Sequence, residues 1–195
     1  MRRAGLTFAT LSCVAVLSMA STAVVAQTPS PPAATQPPAP RPTLSADISS
    51  YFEGRWAGSG TFTRSGKPLT SVFEFTTALG GEALQVRHQE DPPLIFGYLG
   101  LISIDSVSHD VVLLLAGNQS GGARLMRSKG WTGDTLIFES GAGLRVWFAR
   151  ERITFQRLDA DHFRATYEMS ADDGLTWRSG DVQTFSRVPP SGQAS

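Results

Sequence analysis

The feature that most constrains this chain is a two-residue hydrophobic rhythm running almost unbroken from Leu44 to Val188. In Thr70 to Leu79, Phe73, Phe75 and Leu79 fall on one side, and in Glu82 to Gln89 so do Leu84, Val86 and His88. Alternation of this kind marks half-buried strands, each with one face turned to a core. Further segments follow at Arg55 to Thr63, Leu94 to Ile104, Val111 to Ala116 and Arg124 to Trp131. Leu136 to Glu139, Leu144 to Phe155, Phe163 to Met169 and Trp177 to Val188 complete the set. Turn chemistry separates them, at Ser65-Gly66, Gly80-Gly81, Gly117-Asn118 and Thr132-Gly133-Asp134 among others. Roughly ten strands joined by short turns, with no long helical pattern between them, predict an all-β fold. An up-and-down antiparallel barrel closes such a meander most economically, because closure removes exposed edges. A two-sheet sandwich is the alternative. One short helix is expected first: Ser45 can cap it, Asp47 suits its first turn, and Ile48 shares a face with Tyr51 or Phe52.

The flanks read differently. Arg2 and Arg3 precede a mostly apolar run from Leu6 to Val16, and small residues follow, with Val24 and Ala26 where a signal peptidase would read. Residues 1–26 are therefore expected to be a signal peptide cleaved after Ala26, leaving a periplasmic or secreted protein with no stable membrane span. Residues 27–43 hold seven of the chain's 12 prolines among Ala, Thr and Ser, the composition of an extended, unpacked spacer. The tail, residues 189–195, reads the same way. Cys13, the only cysteine, lies inside the signal, so the mature domain must fold without a disulfide. Losing Arg2 and Arg3 turns a net charge of zero slightly negative. No basic stripe remains, which argues against nucleic acid as a partner.

Gly54-Arg55-Trp56-Ala57-Gly58-Ser59-Gly60 opens the first strand. Its tryptophan can close one end of a barrel, and its glycines let a bent strand pass close to a neighbour. This stretch resembles the entry to lipocalin-like (calycin) barrels. Leu79-Gly80-Gly81-Glu82, Tyr98 to Asp105, Gly133-Asp134-Thr135-Leu136, Asp173 to Trp177 and Thr184-Phe185-Ser186-Arg187 extend the resemblance to a bacterial family of unknown function, distantly similar to nitrobindin-like barrels. It spans residues 44–188 and implies a barrel with an apolar interior. Nitrobindin-like barrels hold haem through a histidine near the C-terminal strands. Here Trp177 to Val188 contains none, so no haem and no other cofactor is expected. Ser170 to Trp177 also fits the Asp-box pattern Ser-x-Asp-x-Gly-x-Thr-Trp of sialidase-type propellers. A single copy in a chain this short reads as a self-stabilising hairpin and says nothing about sugar cleavage.

The candidate site residues are few. Of the three histidines, His109 and His162 fall at turns, whereas His88 shares an apolar strand face. His88, Trp56 and Arg87 are the candidate ligand-binding residues, although neighbours on a strand face opposite ways, so Arg87 and His88 cannot both line one lumen. No cysteine or histidine cluster has metal spacing, and no serine lies in a nucleophile elbow, so neither a metal nor a catalytic residue is assigned. The favoured function is binding of a small apolar ligand in or near the barrel interior. A barrel enzyme of isomerase or lyase type, and a structural or partner-binding envelope protein, remain alternatives.

Overall fold

The computed structural model describes residues 42–118, 122–141 and 149–190, and all structural statements below concern these. The signal peptide and most of the proline-rich spacer lie outside them, as do residues 144–148 of one expected strand and residues 191–195 of the tail. Helix α1 is Ala46–Phe52 and the strands are β1 Gly54–Phe62, β2 Pro68–Ala78, β3 Ala83–Glu90, β4 Gly97–Ile104, β5 Val111–Gly117, β6 Ala123–Ser128, β7 Trp131–Thr132, β8 Thr135–Ser140, β9 Arg150–Arg157, β10 His162–Ser170 and β11 Arg178–Val188. Strands adjacent in the chain pair antiparallel, except β6 and β7; β1 also pairs with β11, and β6 with β8. The result is a closed up-and-down barrel of ten strands, with β7 a short extension of the β8 hairpin. The sandwich alternative is thereby excluded.

The expected segment Arg124 to Trp131 is not one strand. It breaks after Ser128, where Gly130 adopts φ +90°, and Trp131 restarts as β7 opposite Leu136. This leaves β6 and β8 only two register pairs, Met126↔Ser140 and Arg127↔Glu139, at the seam that completes the barrel. The opposite closure is continuous, from Arg55↔Val188 to Phe62↔Asp181. Gly58 and Gly60 permit it. A Cβ on Gly58 would lie 2.2 Å from the Phe185 ring, and one on Gly60 would lie 1.9 Å from the Val182 carbonyl oxygen.

The barrel's two ends are unlike. Helix α1, capped by the Ser45 hydroxyl accepting from the Asp47 amide at 3.2 Å, closes the rim where β1 begins and β11 ends. Ile48 and Phe52 of the helix enter the core, and Phe52 makes ring contacts with Phe75, Phe155 and Phe163. Trp56 is fully buried beside them; its Nε1 donates to the Phe52 carbonyl at 2.8 Å. Arg187 lies over the Trp56 ring at 4.1 Å and donates to the carbonyls of Tyr51 and Glu53, tying the last strand to the end of the helix. Arg157 caps the other side, 3.9 Å from the Trp131 ring and 2.8 Å from Asp47 Oδ1. No helix among the described residues is long and apolar enough to cross a membrane.

The Asp-box stretch is the hairpin its sequence predicts. Asp172 accepts from the amide of Thr176 at 2.8 Å and from its hydroxyl at 2.6 Å, and Gly174 adopts φ +92°. Trp177 is covered by the Arg152 guanidinium at 4.2 Å.

Candidate functional site

The rim opposite α1 is where β3 ends and where β4, β6, β9 and β11 begin, and there the inward phase of these strands changes from apolar to polar. On β3, Leu84, Val86, His88 and Glu90 all point inward; on β9, Glu151 precedes Ile153 and Phe155 in the same phase. Arg124 precedes Met126 on β6, and Asp181 precedes Gln183 and Phe185 on β11. Glu151 is 1% exposed, His88 5%, and Glu90 and Arg124 9% each. Burying charge is unfavourable unless it is compensated, so such groups at one rim mark a candidate site.

Two clusters share the rim. In the first, Arg124 Nη1 stands 3.5 Å from Glu151 Oε2, and the Tyr167 hydroxyl donates to Glu151 Oε1. The Glu151 amide donates to Ser140 Oγ at 2.8 Å, which anchors the start of β9 to β8. Arg124 Nε is buried with no hydrogen-bond partner. Burial pushes the Tyr167 phenol up strongly, reinforced by the adjacent Glu151 carboxylate, so it stays a donor.

The second cluster crosses β3, β2 and β11. Glu90 pairs in register with Ser71, whose hydroxyl donates to Gln183 Oε1 at 2.7 Å; Gln183 Nε2 in turn reaches Asp181 Oδ1 at 3.4 Å. Burial, then the charge of Asp181, raise the Glu90 carboxyl to about 7. Burial also raises Asp181, partly offset by the Gln183 amide. His88 packs 4.4 Å from the Phe73 ring and 5.1 Å from that of Tyr98, ring centre to ring centre. Burial lowers it to about 4, so it is neutral at physiological pH, and its Nδ1 has no hydrogen-bond partner.

The three candidate residues from the sequence are not brought together. His88 is at the site. Trp56 faces the same interior but lies at the helix-closed end, packed against Tyr51, Phe163 and Arg187. Arg87 points outward, exposed, opposite Glu74 and Leu99 in register, because it occupies the other phase of β3. Arg87 therefore lies on the outer wall, in the opposite phase to His88. Sequence reasoning missed Glu90, Tyr98, Arg124, Glu151, Tyr167 and Asp181. For Glu90, Tyr98, Glu151 and Tyr167 the signal was present, since each occupies the inward phase of a strand whose other inward residues are mostly apolar; the inward phases holding Arg124 and Asp181 are mixed. Among the described residues no group of three or more His, Cys, Asp or Glu is placed to hold a metal ion.

The outer wall carries a separate feature, an open groove lined by Leu99, Leu101, Leu114, Ala116 and Leu125, with Gln85 at its edge. Arg124, which also belongs to the rim, is among its lining residues.

No family model matches the chain, and no curated protein matches it. One similar solved structure is described as "Structure of EF1p2_mFAP2b bound to DFHBI"; the match covers 71% of this chain and 95% of that chain, with 10% sequence identity and a TM-score of 0.37. A likeness so distant carries no argument about what this chain binds. The lipocalin-like resemblance holds at the level of architecture, a closed antiparallel barrel entered after a short helix. The narrower nitrobindin-like kinship has no family match behind it.

Proposed function

We propose that this chain is an exported lipocalin-like barrel that binds a small, largely apolar molecule at the rim opposite α1. One observation carries the reading: His88 Nδ1 and Arg124 Nε, buried groups with unused hydrogen-bonding capacity, stand at that rim beside the buried Glu90 and Glu151 side chains, whereas the unpartnered Trp131 Nε1 and Arg157 Nε of the other end are packed against each other and the Tyr51 ring. An unmet buried donor or acceptor costs about 1–3 kcal/mol, which a ligand supplying its partner would recover. Phe96, Tyr98 and Phe73 give the apolar body of the ligand rings to rest on. The helix-closed end offers no such room, since Phe52, Trp56, Phe155 and Phe163 fill it. Haem is not part of this reading. It would need a flat apolar slot beside His88, where Phe73 and Phe185 stand 4.9 Å apart.

The uncharged dye N-phenyl-1-naphthylamine should bind saturably, one per chain. Met169→Trp sets an indole at the rim from the residue that pairs with Glu151, and should weaken the dye about tenfold. Ferric haem in the same cuvette should give no sharp, stoichiometric Soret band. Dye binding indifferent to Met169→Trp, or a haem band abolished by His88→Ala, would overturn the assignment.

A second reading, acid–base catalysis at the same rim, is favoured by one observation. A carboxyl held near 7, as Glu90 is, suits proton transfer at neutral pH.

Export belongs to the same proposal, supported by the charged start, the apolar run and the small residues before Gln27. Intact-mass analysis of protein recovered outside the cytoplasm should give a chain beginning at Gln27. Recovered material that still begins at Met1 would sink it.

A further inference from the structure

We infer that the rim site takes an organic cation: a protonated amine on an apolar body, its charge held by Glu90 and Asp181 against the aromatic rings of Phe96 and Tyr98. The inference rests on the rim being a ligand site and names what that ligand must carry. Its basis is a charge imbalance with a defined place. Four charged side chains face the interior at this rim. Arg124 has Glu151 beside it at 3.5 Å. Glu90 and Asp181 have no ion-pair partner among the described residues, although Ser71 and Gln183 link their strands across the lumen wall. A buried and a half-buried carboxylate, Glu90 and Asp181, repel when no cation stands between them, and a bound positive charge relieves both at once. Their raised proton affinities are the same imbalance expressed toward the smallest available cation.

A second observation, independent of the carboxylates, points the same way. His88 lies two residues before Glu90 on the same inward face, is more than nine-tenths buried, and has an unpartnered Nδ1. A neutral imidazole nitrogen can accept from an ammonium N–H. Around it, Phe73, Phe96 and Tyr98 lie 4.4, 6.0 and 5.1 Å from the His88 ring, centre to centre. Aromatic faces beside carboxylates recognise organic cations through the ring quadrupole, and a weakly hydrated organic cation sheds less water to reach them than a small inorganic ion does.

Three probes that differ only in the head group test the inference on the full mature chain: octylamine, 1-octanol and octanoate, followed by calorimetry. Octylamine should bind about tenfold or more tightly than octanol, and octanoate more weakly than either. Its affinity should rise from about pH 6 to about pH 8 as Glu90 gives up its proton. Glu90→Gln and Asp181→Asn should each remove most of the preference for the amine while leaving octanol binding unchanged. Both variants delete a buried charge, and octanol binding doubles as the check that the site is still formed. Octanoate binding best, or an amine preference that survives both variants, overturns the inference and leaves the rim a ligand site. If none of the three probes binds, the ligand-site reading falls with it.

Discussion

Replacing Trp56 with alanine is expected to destabilise the domain by about 3–5 kcal/mol, the range for deleting a large buried aromatic side chain. The indole is completely buried and its surroundings cannot easily collapse, because they come from three separate parts of the chain. Its Nε1 holds the Phe52 carbonyl at 2.8 Å, at the helix end where carbonyls lack helical partners. Arg187 rests on the ring at 4.1 Å while donating to the carbonyls of Tyr51 and Glu53, and it pairs with Asp161 at 3.0 Å. Loss of the indole therefore opens a cavity, orphans a carbonyl and frees the arginine that fastens β11 to α1. Urea melts should show a lower midpoint at unchanged slope. Trp56→Phe keeps the apolar ring but loses the hydrogen bond, and should cost about 1–3 kcal/mol. A shift below about 1 kcal/mol for Trp56→Ala would show that the helix end does not depend on this residue.

Glu90→Gln is expected to stabilise the domain at pH 8 by as much as roughly 3 kcal/mol. The Glu90 carboxyl rises from 4.5 to about 7 on folding, so between those values the folded state keeps a proton that the unfolded chain has released. At ~1.4 kcal/mol per tenfold in proton affinity, stability falls by roughly 3 kcal/mol as pH climbs from 4.5 to 7, and the loss then persists at higher pH. His88 acts in the opposite direction. Lowered from 6.5 to about 4, it is kept neutral by the fold while the unfolded chain protonates. Its contribution is lost as pH falls from 6.5 to 4. Across pH 4.5 to 6.5 the two slopes nearly cancel in the native protein. Asp181 adds to the Glu90 side, and the Glu90→Gln change also relieves Asp181 of a like charge. Denaturant melts over a pH series should thus show the variant gaining stability with rising pH where the native protein is flat. A variant no more stable than the native chain at pH 8 would mean that the Glu90 carboxylate is adequately solvated in the fold.

Much of this architecture is legible in the sequence because a strand's phase is a local property. Phe73, Phe75, Leu84 and Val86 declare their side of the wall by spacing alone, and the capping Ser45 announces the helix. The break at Gly130 is less visible: Ser128-Lys129-Gly130 carries turn chemistry, yet apolar residues on both sides keep the rhythm. Barrel closure is not local at all. The pairing of Arg55 with Val188 and of Met126 with Ser140 depends on strand tilt, which single-strand patterns do not encode. The site shows the same division. His88 stands out as a polar residue in an apolar phase, and the same reasoning applies to Glu90 and Glu151, whereas the phases of Arg124 and Asp181 are mixed. Each looks like an ordinary scattered charge, however, until the meander places the relevant strand ends on one rim. Arg87 was the opposite case, a plausible neighbour in sequence that pleating sends to the outside.

The pairing of Arg55 with Val188 also governs presentation. Because β1 enters and β11 leaves at the rim closed by α1, the chain on either flank departs from the sealed end of the cup. Anything joined there meets the barrel at the α1 end, the rim away from Glu90 and His88. A reporter attached at either flank would leave the mouth unobstructed. Attachment through the β3–β4 turn, which follows Glu90, would place its bulk over the rim that carries Glu90 and His88.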